Sequence, residues 1–321
     1  MTLYSPPMEA YRLDDLGDRR VLVVQDRRYE TRYSARVVRM LIERKGVHRA
    51  PPYFDYKRTR GDHFLAPLFR WLRAGRRPRL RVLEIGCSFG HITEWLADQP
   101  EVAEIRTFDT DPEFIDIVRA KRDELALSSL VEIRQLANDE TCALPWSAAS
   151  FDLVLALGVV EHLPERTRRT QVDEYYRVLA PGGHLVVLDT PNRWFPLETH
   201  SVGLPLVQWL SPPLAWRYAR LGRPAKFGRV PYAEFVADGT GWRNATYREC
   251  LPSSSGGDIE DVTEAAGYGW RFFRDTARSR TRRALLPAFA LTVAALRAAG
   301  RPPSWCLPYL NLVFRRRDRT R

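Results

Sequence analysis

The chain has 321 residues, of which 45% are hydrophobic and 28% are charged. This composition is ordinary for a soluble globular protein with a sizeable core. The four cysteines are widely spaced with no C-x-x-C pair, which argues against a zinc cluster or a disulfide framework and favours a reducing cytoplasm. Residues 1–7 lack a basic region followed by an apolar stretch, so no secretory signal is predicted.

The formal net charge is +11, and most of the excess lies near the C-terminus. Between Thr276 and Arg321, eleven arginines stand against one acidic residue, Asp318. The uncharged stretch Ala284–Leu296 separates two groups of these arginines, and its 13 residues are too few to span a bilayer, which needs about 20. It predicts either a partly buried helix or a helix that docks on an anionic membrane surface, with Pro287 in its first turn.

Residues 1–77 are rich in arginine and tyrosine and predict an N-terminal cap. Helices are expected over Tyr33–Lys45 and Asp62–Arg73. We expect this cap to pack beside the ligand site that the next segment indicates.

An apolar run, Leu80–Ile85, leads directly into a turn with glycine at positions 86 and 90. The run is typical of a parallel strand covered on both faces, and glycine leaves backbone where a side chain would collide with a ligand. A helix is predicted to begin near His91. A strand, a glycine turn and a helix in this order favour a nucleotide-like ligand.

A second apolar strand, Ile105–Phe108, ends at Asp109, which follows Glu84 by 25 positions. A carboxylate at this point of the chain can accept hydrogen bonds from both hydroxyls of a ribose. Further strands are predicted at Val131–Gln135, Phe151–Ala156 and Gly183–Thr190. Their alternation with helices indicates a doubly wound parallel sheet.

These segments resemble the class I S-adenosylmethionine-dependent methyltransferases of the type 11 and type 12 groups. The first motif of that family is an acidic residue followed by G-x-G-x-G, which Glu84, Gly86, Ser88 and Gly90 match with serine in place of the middle glycine. The resemblance continues through the later family motifs, at residues 106–114, 144–154, 159–163 and 177–185.

The resemblance implies a Rossmann-like, doubly wound sheet of seven mostly parallel strands with an antiparallel last strand, to which this chain adds a helical cap and an insertion. It also implies S-adenosylmethionine as the cofactor. Asp109 is expected at the ribose, and Asn138 or Asp139 at the adenine. The other residues expected to bind the cofactor are Glu84, Gly86, Cys87, Ser88, Gly90, Thr110 and Leu157.

The predicted domains are the cap (1–77), the cofactor half of the core (78–194), an insertion that covers the acceptor (195–257) and the end of the core (258–321). Within the last of these we expect a helix at Asp258–Ala266, an aromatic strand at Trp270–Arg274, the basic apolar helix as an insertion, and the closing strand at Pro308–Phe314.

Methyl transfer from a sulfonium mainly requires alignment, and a general base helps when the acceptor is a hydroxyl. His162 after the fourth strand and His200 after the fifth are the candidate bases. Glu198 stands two residues before His200, so in an extended loop the two side chains would project to one side and act as a pair. The alternatives are that Glu161-His162 only shapes its turn, or that Glu198 and His200 share a divalent metal with Glu161; so few ligands do not predict a metal site.

The segment from Pro191 to His200 resembles methyltransferases of small-molecule and glycan pathways, including the quinone-biosynthesis O-methyltransferases. We therefore expect O-methylation of a small molecule, a glycan or a lipid-linked intermediate. The basic C-terminus raises RNA methylation as an alternative, but residues 156–159 read Ala-Leu-Gly-Val where methyltransferases of exocyclic base amines carry N-P-P-[YF] or D-P-P-Y. Nucleic acid is therefore not an expected partner. The remaining alternative is a non-catalytic scaffold that keeps the fold and the cofactor.

Overall fold

The computed structural model describes residues 11–17, 19–24, 27–75, 79–253 and 257–318. Residues 1–7 and the arginines at 319 and 321, on which parts of the sequence analysis rest, lie outside this range. The chain divides into two compact units, one ending at Ala137 and one beginning at Asn138. The domain boundaries predicted at residues 77, 194 and 257 stay predictions.

The first unit opens with a small antiparallel sheet of three strands, in the order β1 (Arg12–Asp15), β2 (Arg20–Val24) and β3 (Arg27–Thr31). The predicted cap, for which only helices were expected, therefore also contains a sheet. The outer strands are short and mostly charged, so only the buried residues of β2 carry an apolar strand pattern. Such a sheet forms because β2 has partners on both sides, which a single segment does not reveal.

The helices of the first unit are α1 (Ala35–Lys45), α2 (Ala66–Ala74), α3 (His91–Ala97) and α4 (Pro112–Glu124). The Ser34 hydroxyl accepts a hydrogen bond from the Val37 N–H and caps α1, which confirms most of the first predicted helix. The second predicted helix is divided. A π-helical segment, Lys57–Asp62, precedes α2, and a 3₁₀ turn lies at Pro51–Phe54.

Three parallel strands of the first unit belong to the main sheet: β4 (Leu80–Ile85), β5 (Val102–Asp109) and β6 (Leu130–Gln135). The cap buries its apolar residues against the helices that flank them. Leu41 and Ile42 of α1 share one core with Phe89, Ile117 and Ala120. The Lys45 ammonium lies 4.9 Å from the centre of the Phe89 ring. The cap therefore packs directly beside the glycine turn.

The second unit contributes β7 (Phe151–Leu157), β8 (Leu179–Pro191), β9 (Ile259–Asp261) and β10 (Tyr309–Arg316). β7 and β8 are parallel, whereas β10 runs antiparallel to both β8 and β9. The order across the seven-stranded sheet is β6-β5-β4-β7-β8-β10-β9. The predicted fold class, a mostly parallel sheet with an antiparallel last strand, is confirmed.

The helices of the second unit are α5 (Arg168–Val178), α6 (Pro212–Gly222), α7 (Pro224–Phe227), α8 (Tyr232–Phe235), α9 (Gly269–Asp275) and α10 (Arg280–Ala298). Short 3₁₀ turns lie at Glu140–Cys142, Val160–His162, Val207–Trp209, Tyr247–Glu249 and Pro303–Cys306. The predicted insertion has its own small core, in which Val202 and Val207 pack with Ala215, Phe235 and Trp242.

Two elements predicted near the C-terminus are exchanged. The residues predicted as a helix at Asp258–Ala266 include β9, where Glu260 stands opposite Arg315 of β10. The residues predicted as a strand at Trp270–Arg274 form α9, in which the rings of Trp270 and Phe273 contact each other one turn apart. Short apolar runs do not distinguish helix from strand, and the pairing with β10 decides the outcome.

The uncharged stretch Ala284–Leu296 lies within α10, whose side chains are mostly exposed. The Ser279 hydroxyl caps this helix by accepting the Arg282 N–H at 3.1 Å. Because this cap lies well before the apolar stretch, Pro287 falls in the helix interior, and its predicted place in the first turn is wrong. In the part of the chain that the structure describes, no helix has the length and apolarity needed to cross a membrane.

A buried ion pair joins the cap to α3 and α4. The Lys121 ammonium lies 3.3 Å from the Glu94 carboxylate, and each side chain is 1% exposed. The Tyr33 hydroxyl donates to the same carboxylate at 2.8 Å. Burial lowers the pKa of Lys121 to about 8, although Glu94 opposes the shift. Arg32, which is half-exposed, forms a second ion pair with the same carboxylate.

We expect Lys121→Met to destabilise the protein, because it removes the buried partner of the Glu94 carboxylate and leaves only Arg32 and the more distant Lys57 beside it. A buried charge left with no partner costs about 3 kcal/mol, so with these partners remaining we expect a loss of about 1–3 kcal/mol. Urea unfolding followed by circular dichroism measures the change. Arg119→Met, at a half-exposed position of the same helix, is the matched control and should change stability little. Equal losses in the two variants would contradict the proposed importance of the pair.

Candidate functional site

The turn after β4 has a backbone path that favours glycine at three positions. Gly86, Ser88 and Gly90 have φ values of +68°, +47° and +70°. Ser88 stands where the resembling family has its middle glycine, and it adopts the left-handed conformation that a glycine would take there. A Cβ on Gly90 would lie 2.9 Å from a methyl group of Val118, so a side chain is excluded at that position.

Asp109 at the end of β5 is held by this turn. One carboxylate oxygen accepts the Ser88 N–H at 2.9 Å, and the other accepts the Asp111 N–H at 3.1 Å. Burial raises the pKa of Asp109, while these N–H groups oppose the shift. Each oxygen retains a further lone pair, so the carboxylate can also receive two ribose hydroxyls. Thr110 follows it at an exposed position.

Glu84 lies beneath the turn rather than at its surface. Its side chain is buried, and its carboxyl group accepts a hydrogen bond from the Thr93 hydroxyl of α3. Burial raises the pKa of Glu84 to about 7. Burial also raises the pKa of the neighbouring Cys87 thiol well above its usual value, so this thiol is an unreactive filler. Glu84 and Cys87 therefore act by shaping the turn.

His91, the first residue of α3, is a packing group. Its Nε2 lies 2.7 Å from the carbonyl oxygen of Tyr53, and its ring contacts the rings of Tyr33 and Tyr56.

Three of the residues predicted to bind the cofactor lie in the second unit. Leu157 ends β7 and is half-buried, whereas Asn138 and Asp139 are exposed just before a 3₁₀ turn. The choice between Asn138 and Asp139 stays open.

The structure brings both predicted bases together. His162 ends the 3₁₀ turn after β7, His200 lies in the loop after β8, and their Nε2 atoms are 3.2 Å apart. Glu161 completes a group, the Glu161–His162–His200 cluster, in which one atom of each side chain lies within 4.8 Å of the others. The two histidines were predicted from separate motifs, and no signal in the sequence predicted their contact.

The orientation of His162 is fixed by two glycines. Its Nδ1 lies 2.7 Å from the carbonyl oxygen of Gly239. Because a carbonyl only accepts, Nδ1 carries the proton and Nε2 presents its lone pair to His200. Gly241 has a φ of +70°, and a Cβ on it would lie 3.1 Å from the His162 ring and 3.3 Å from the His200 ring. Glycine at 241 therefore leaves room for both imidazoles.

Glu161 is almost completely buried. Its Oε2 accepts the Thr190 hydroxyl at 3.2 Å, while its Oε1 has no hydrogen-bond partner among the described residues. The Oε1 atom lies 3.9 Å from Nε2 of His162. Burial raises the pKa of Glu161 to about 8, and the nearby Asp189 carboxylate adds to the shift. The carboxyl group is thus directed at the two imidazoles.

Arg168 holds the backbone of this cluster, a role that the sequence did not indicate. Its side chain is 2% exposed. The guanidinium donates to the carbonyl oxygens of Glu161, Leu163 and Asn244 at 3.2, 2.9 and 3.0 Å. It also forms an ion pair with Glu249. The turn that carries Glu161 and His162 is therefore tied to residues 244–249.

Glu198 does not pair with the imidazole of His200 as predicted. One of its carboxylate oxygens accepts the N–H groups of His200 and Ser201 at 2.7 and 2.8 Å, and the other accepts those of Val202 and Gly203 at 2.6 and 2.8 Å. The side chain is fully buried. Because its oxygens are occupied by the backbone, Glu198 shapes the loop that presents His200 and is not a catalytic partner.

We expect Glu84→Gln to make stability less dependent on pH. Protonated Glu84 stabilises the fold because its pKa is higher in the folded than in the unfolded protein. This contribution is fully present below the ordinary pKa of 4.5 and is lost as the pH rises through about 7. Over that pH range the free energy of unfolding of the wild type should fall by about 3 kcal/mol relative to that of the variant. The glutamine still accepts the Thr93 hydroxyl. Urea unfolding at pH 5 and pH 8 measures this, with the exposed Glu43→Gln as control; parallel pH curves for wild type and Glu84→Gln would refute it.

Residues 83–187 match the family model described as a methyltransferase domain. The chain is 34% identical over 112 residues to nodulation protein S of Rhizobium tropici, covering 34% of this chain and 42% of that protein. It is 30% identical over 146 residues to ubiquinone biosynthesis O-methyltransferase of Xylella fastidiosa, covering 46% and 56% of the two chains. The chain spans about half the length of these curated relatives.

The crystal structure of the YcgJ protein from Bacillus subtilis aligns with 79% of this chain and 99% of its own, with 16% identity and a TM-score of 0.42. The family match spans the segment from β4 to β8. The turn of Gly86, Ser88 and Gly90 and the acidic end of β5 lie within it. The chain therefore contains a methyltransferase domain, and the turn and Asp109 within it resemble the cofactor motifs of the class I, S-adenosylmethionine-dependent group.

Proposed function

We propose that this protein transfers the methyl group of S-adenosylmethionine to the hydroxyl oxygen of a small molecule, a glycan or a lipid-linked intermediate. The observation that carries the proposal is the Glu161–His162–His200 cluster, which provides acid–base side chains within a methyltransferase fold. In open sheets of this type, ligands bind beyond the carboxyl ends of the strands. The cluster follows β7 and β8 in the second unit, and Ser88 and Asp109 follow β4 and β5 in the first.

S-adenosylmethionine supplies a methyl carbon made electrophilic by the positive charge on its sulfur. On the protein side, Asp109 would bind the ribose, and Asn138 or Asp139 the adenine. Gly86, Ser88 and Gly90 would keep the turn free of side chains that block the cofactor. Two hydrogen bonds from the backbone fix the Asp109 carboxylate before any ligand arrives, which reduces the entropic cost of binding.

The reaction forms a bond between the acceptor oxygen and the methyl carbon while the bond from carbon to sulfur breaks. The electron pair of that broken bond stays on sulfur, giving S-adenosylhomocysteine, and the hydroxyl proton has to leave the oxygen. We assign activation of the hydroxyl to the Glu161–His162–His200 cluster, with His162 and His200 as the catalytic residues. Assistance to proton removal contributes about 10²–10⁴ in rate.

The names of similar proteins support a small acceptor. They include ubiquinone biosynthesis O-methyltransferase, demethylmenaquinone methyltransferase and, at 27% identity over 67% of this chain and 78% of that protein, trans-aconitate 2-methyltransferase of Methylobacterium radiotolerans. A probable tRNA methyltransferase 9B of Bos taurus, 24% identical over 58% of this chain and 38% of that protein, keeps RNA as the second candidate. Salt-sensitive RNA binding distinguishes it.

We further propose that the protein works in the cytoplasm, at an anionic membrane surface. The four free cysteines support a reducing compartment.

The membrane surface is supported by α10. In this helix Leu285 and Leu291 are 50% and 74% exposed, whereas a helix of a protein core would bury such residues. Phe289 of α10 stacks on Phe195, and Trp194, which precedes Phe195, is 61% exposed. Exposed arginines at 278, 280, 283 and 297 flank this apolar surface, as in helices that lie in a membrane interface.

We expect Asp109→Ala to weaken binding of both S-adenosylmethionine and S-adenosylhomocysteine by about 100-fold, because it removes an ionised acceptor of two ribose hydroxyls. Calorimetric titration measures both ligands. Asp116→Ala, an exposed aspartate on α4, is the matched control. Wild-type protein that binds neither ligand would contradict the proposed function, and unchanged binding by folded Asp109→Ala would overturn the ribose assignment.

We expect the triple variant Arg278→Glu, Arg280→Glu, Arg283→Glu to bind anionic vesicles at least 100-fold more weakly than the wild type, because each basic group near the surface contributes about 1 kcal/mol. Cosedimentation with vesicles of phosphatidylcholine and phosphatidylserine measures this. The control reverses Arg27, Arg28 and Arg36, which are exposed arginines of the first unit. If the triple variant sediments with the vesicles as well as the wild type does, or if the control variant loses binding to the same extent, docking through α10 is excluded.

A further inference from the structure

The Glu161–His162–His200 cluster contains an oxygen whose hydrogen bonding is incomplete. Oε1 of Glu161 has no partner among the described residues, although the side chain is only 1% exposed. Its sister oxygen does accept a hydrogen bond, from Thr190. A buried polar atom without a partner costs about 1–3 kcal/mol. Such an atom, directed at two imidazoles, indicates that a ligand is to be bound there.

The two imidazoles have the separation of nitrogens bound to one metal ion. Their Nε2 atoms are 3.2 Å apart. Two histidine nitrogens at 2.0–2.1 Å from a tetrahedral Zn²⁺ stand about 3.3 Å from each other. Oε1 of Glu161, at 3.9 Å from Nε2 of His162, supplies a third donor on the same side. Two histidines and one carboxylate form a recognised ligand set for divalent transition metals.

The groups behind these three atoms hold them in place. Nδ1 of His162 donates to the carbonyl oxygen of Gly239, and ligating histidines usually donate their other N–H in this way. The Thr190 hydroxyl orients the Glu161 carboxyl group. The loop of His200 is fixed by Glu198, whose carboxylate accepts the backbone N–H of His200 itself. Each of the three donors therefore has its own support.

We propose that Oε1 of Glu161, Nε2 of His162 and Nε2 of His200 bind one divalent transition-metal ion, for which Zn²⁺ fits the donor set. This inference rests on the proposed function, because it states how the cluster activates the acceptor. Three protein ligands leave a coordination position open. The acceptor hydroxyl occupies that position, its pKa falls on coordination, and its proton passes to water before the oxygen attacks the methyl carbon.

The site is tested by titrating chelator-treated protein with Zn²⁺ in a calorimeter, in a Cys142→Ser, Cys306→Ser background that removes the half-exposed thiols. We expect one equivalent of Zn²⁺ to bind. His200→Ala and His162→Ala should each weaken binding at least 100-fold. His48→Ala, an exposed histidine of the first unit, is the matched control. Titration with Co²⁺ should give visible absorption bands that disappear in the same two variants.

A second variant keeps all three ligands. Thr190→Val has nearly the same shape but removes the hydroxyl that orients Glu161, and losses of such supporting groups weaken metal binding about 10- to 100-fold. Thermal melting checks that each variant is folded and adds another readout, because Zn²⁺ should raise the melting temperature of the wild type and not that of His200→Ala. Absence of Zn²⁺ binding, or equal binding by wild type and His200→Ala, would overturn the metal site.

The two proposals fail separately. Binding of S-adenosylmethionine, with its dependence on Asp109, is measured on the same metal-free protein. If that binding persists while Zn²⁺ does not bind through the cluster, the metal site is wrong and the proposed function stands. If Zn²⁺ binds through the cluster but S-adenosylmethionine does not bind, the proposed function is wrong and the metal site stands.

Discussion

The second unit depends on a guanidinium group that has almost no contact with water. Arg168 cannot give up its proton, and an unpaired charge inside a protein is very costly. Its removal from solvent is therefore tolerated only because carbonyl oxygens from three backbone positions and the Glu249 carboxylate surround it. If the turn after β7 moved away from the segment around Asn244, the guanidinium would lose acceptors and its charge would be buried without partners. This constraint fixes the position of the turn, and therefore that of the His162 imidazole.

Much of the first unit could be predicted because its signals are local. β4 was predicted with the bounds that the structure has. The apolar run, the glycines of the turn and the acidic end of β5 each act over a few residues, so the sequence predicted Asp109 beside the turn. The hydrogen bond from Ser88 to Asp109 could not be predicted, since serine in place of glycine gave no indication that the backbone would keep a positive φ.

The failures concern elements whose conformation is decided by distant partners. β9 is a strand because β10 lies beside it, and β1 and β3 are strands because β2 lies between them. His162 and His200 are far apart in sequence, so only the fold shows that their rings touch. Glu198 was misjudged for a related reason. A carboxylate two residues before a histidine suggests a side-chain pair, but in a tight loop the nearest donors are the backbone N–H groups that follow it.

Glu198 accepts hydrogen bonds from four consecutive backbone N–H groups, and these bonds restrict the motion of the loop that carries His200. Surface loops usually exchange their amide hydrogens with water quickly, but opening residues 200–203 means breaking four hydrogen bonds to one buried carboxylate. We therefore expect this loop to exchange its amide hydrogens slowly and to act as a rigid part of the protein rather than as a lid. His200 is presented at a fixed place, and an acceptor molecule has to reach it by a route that does not require the loop to open.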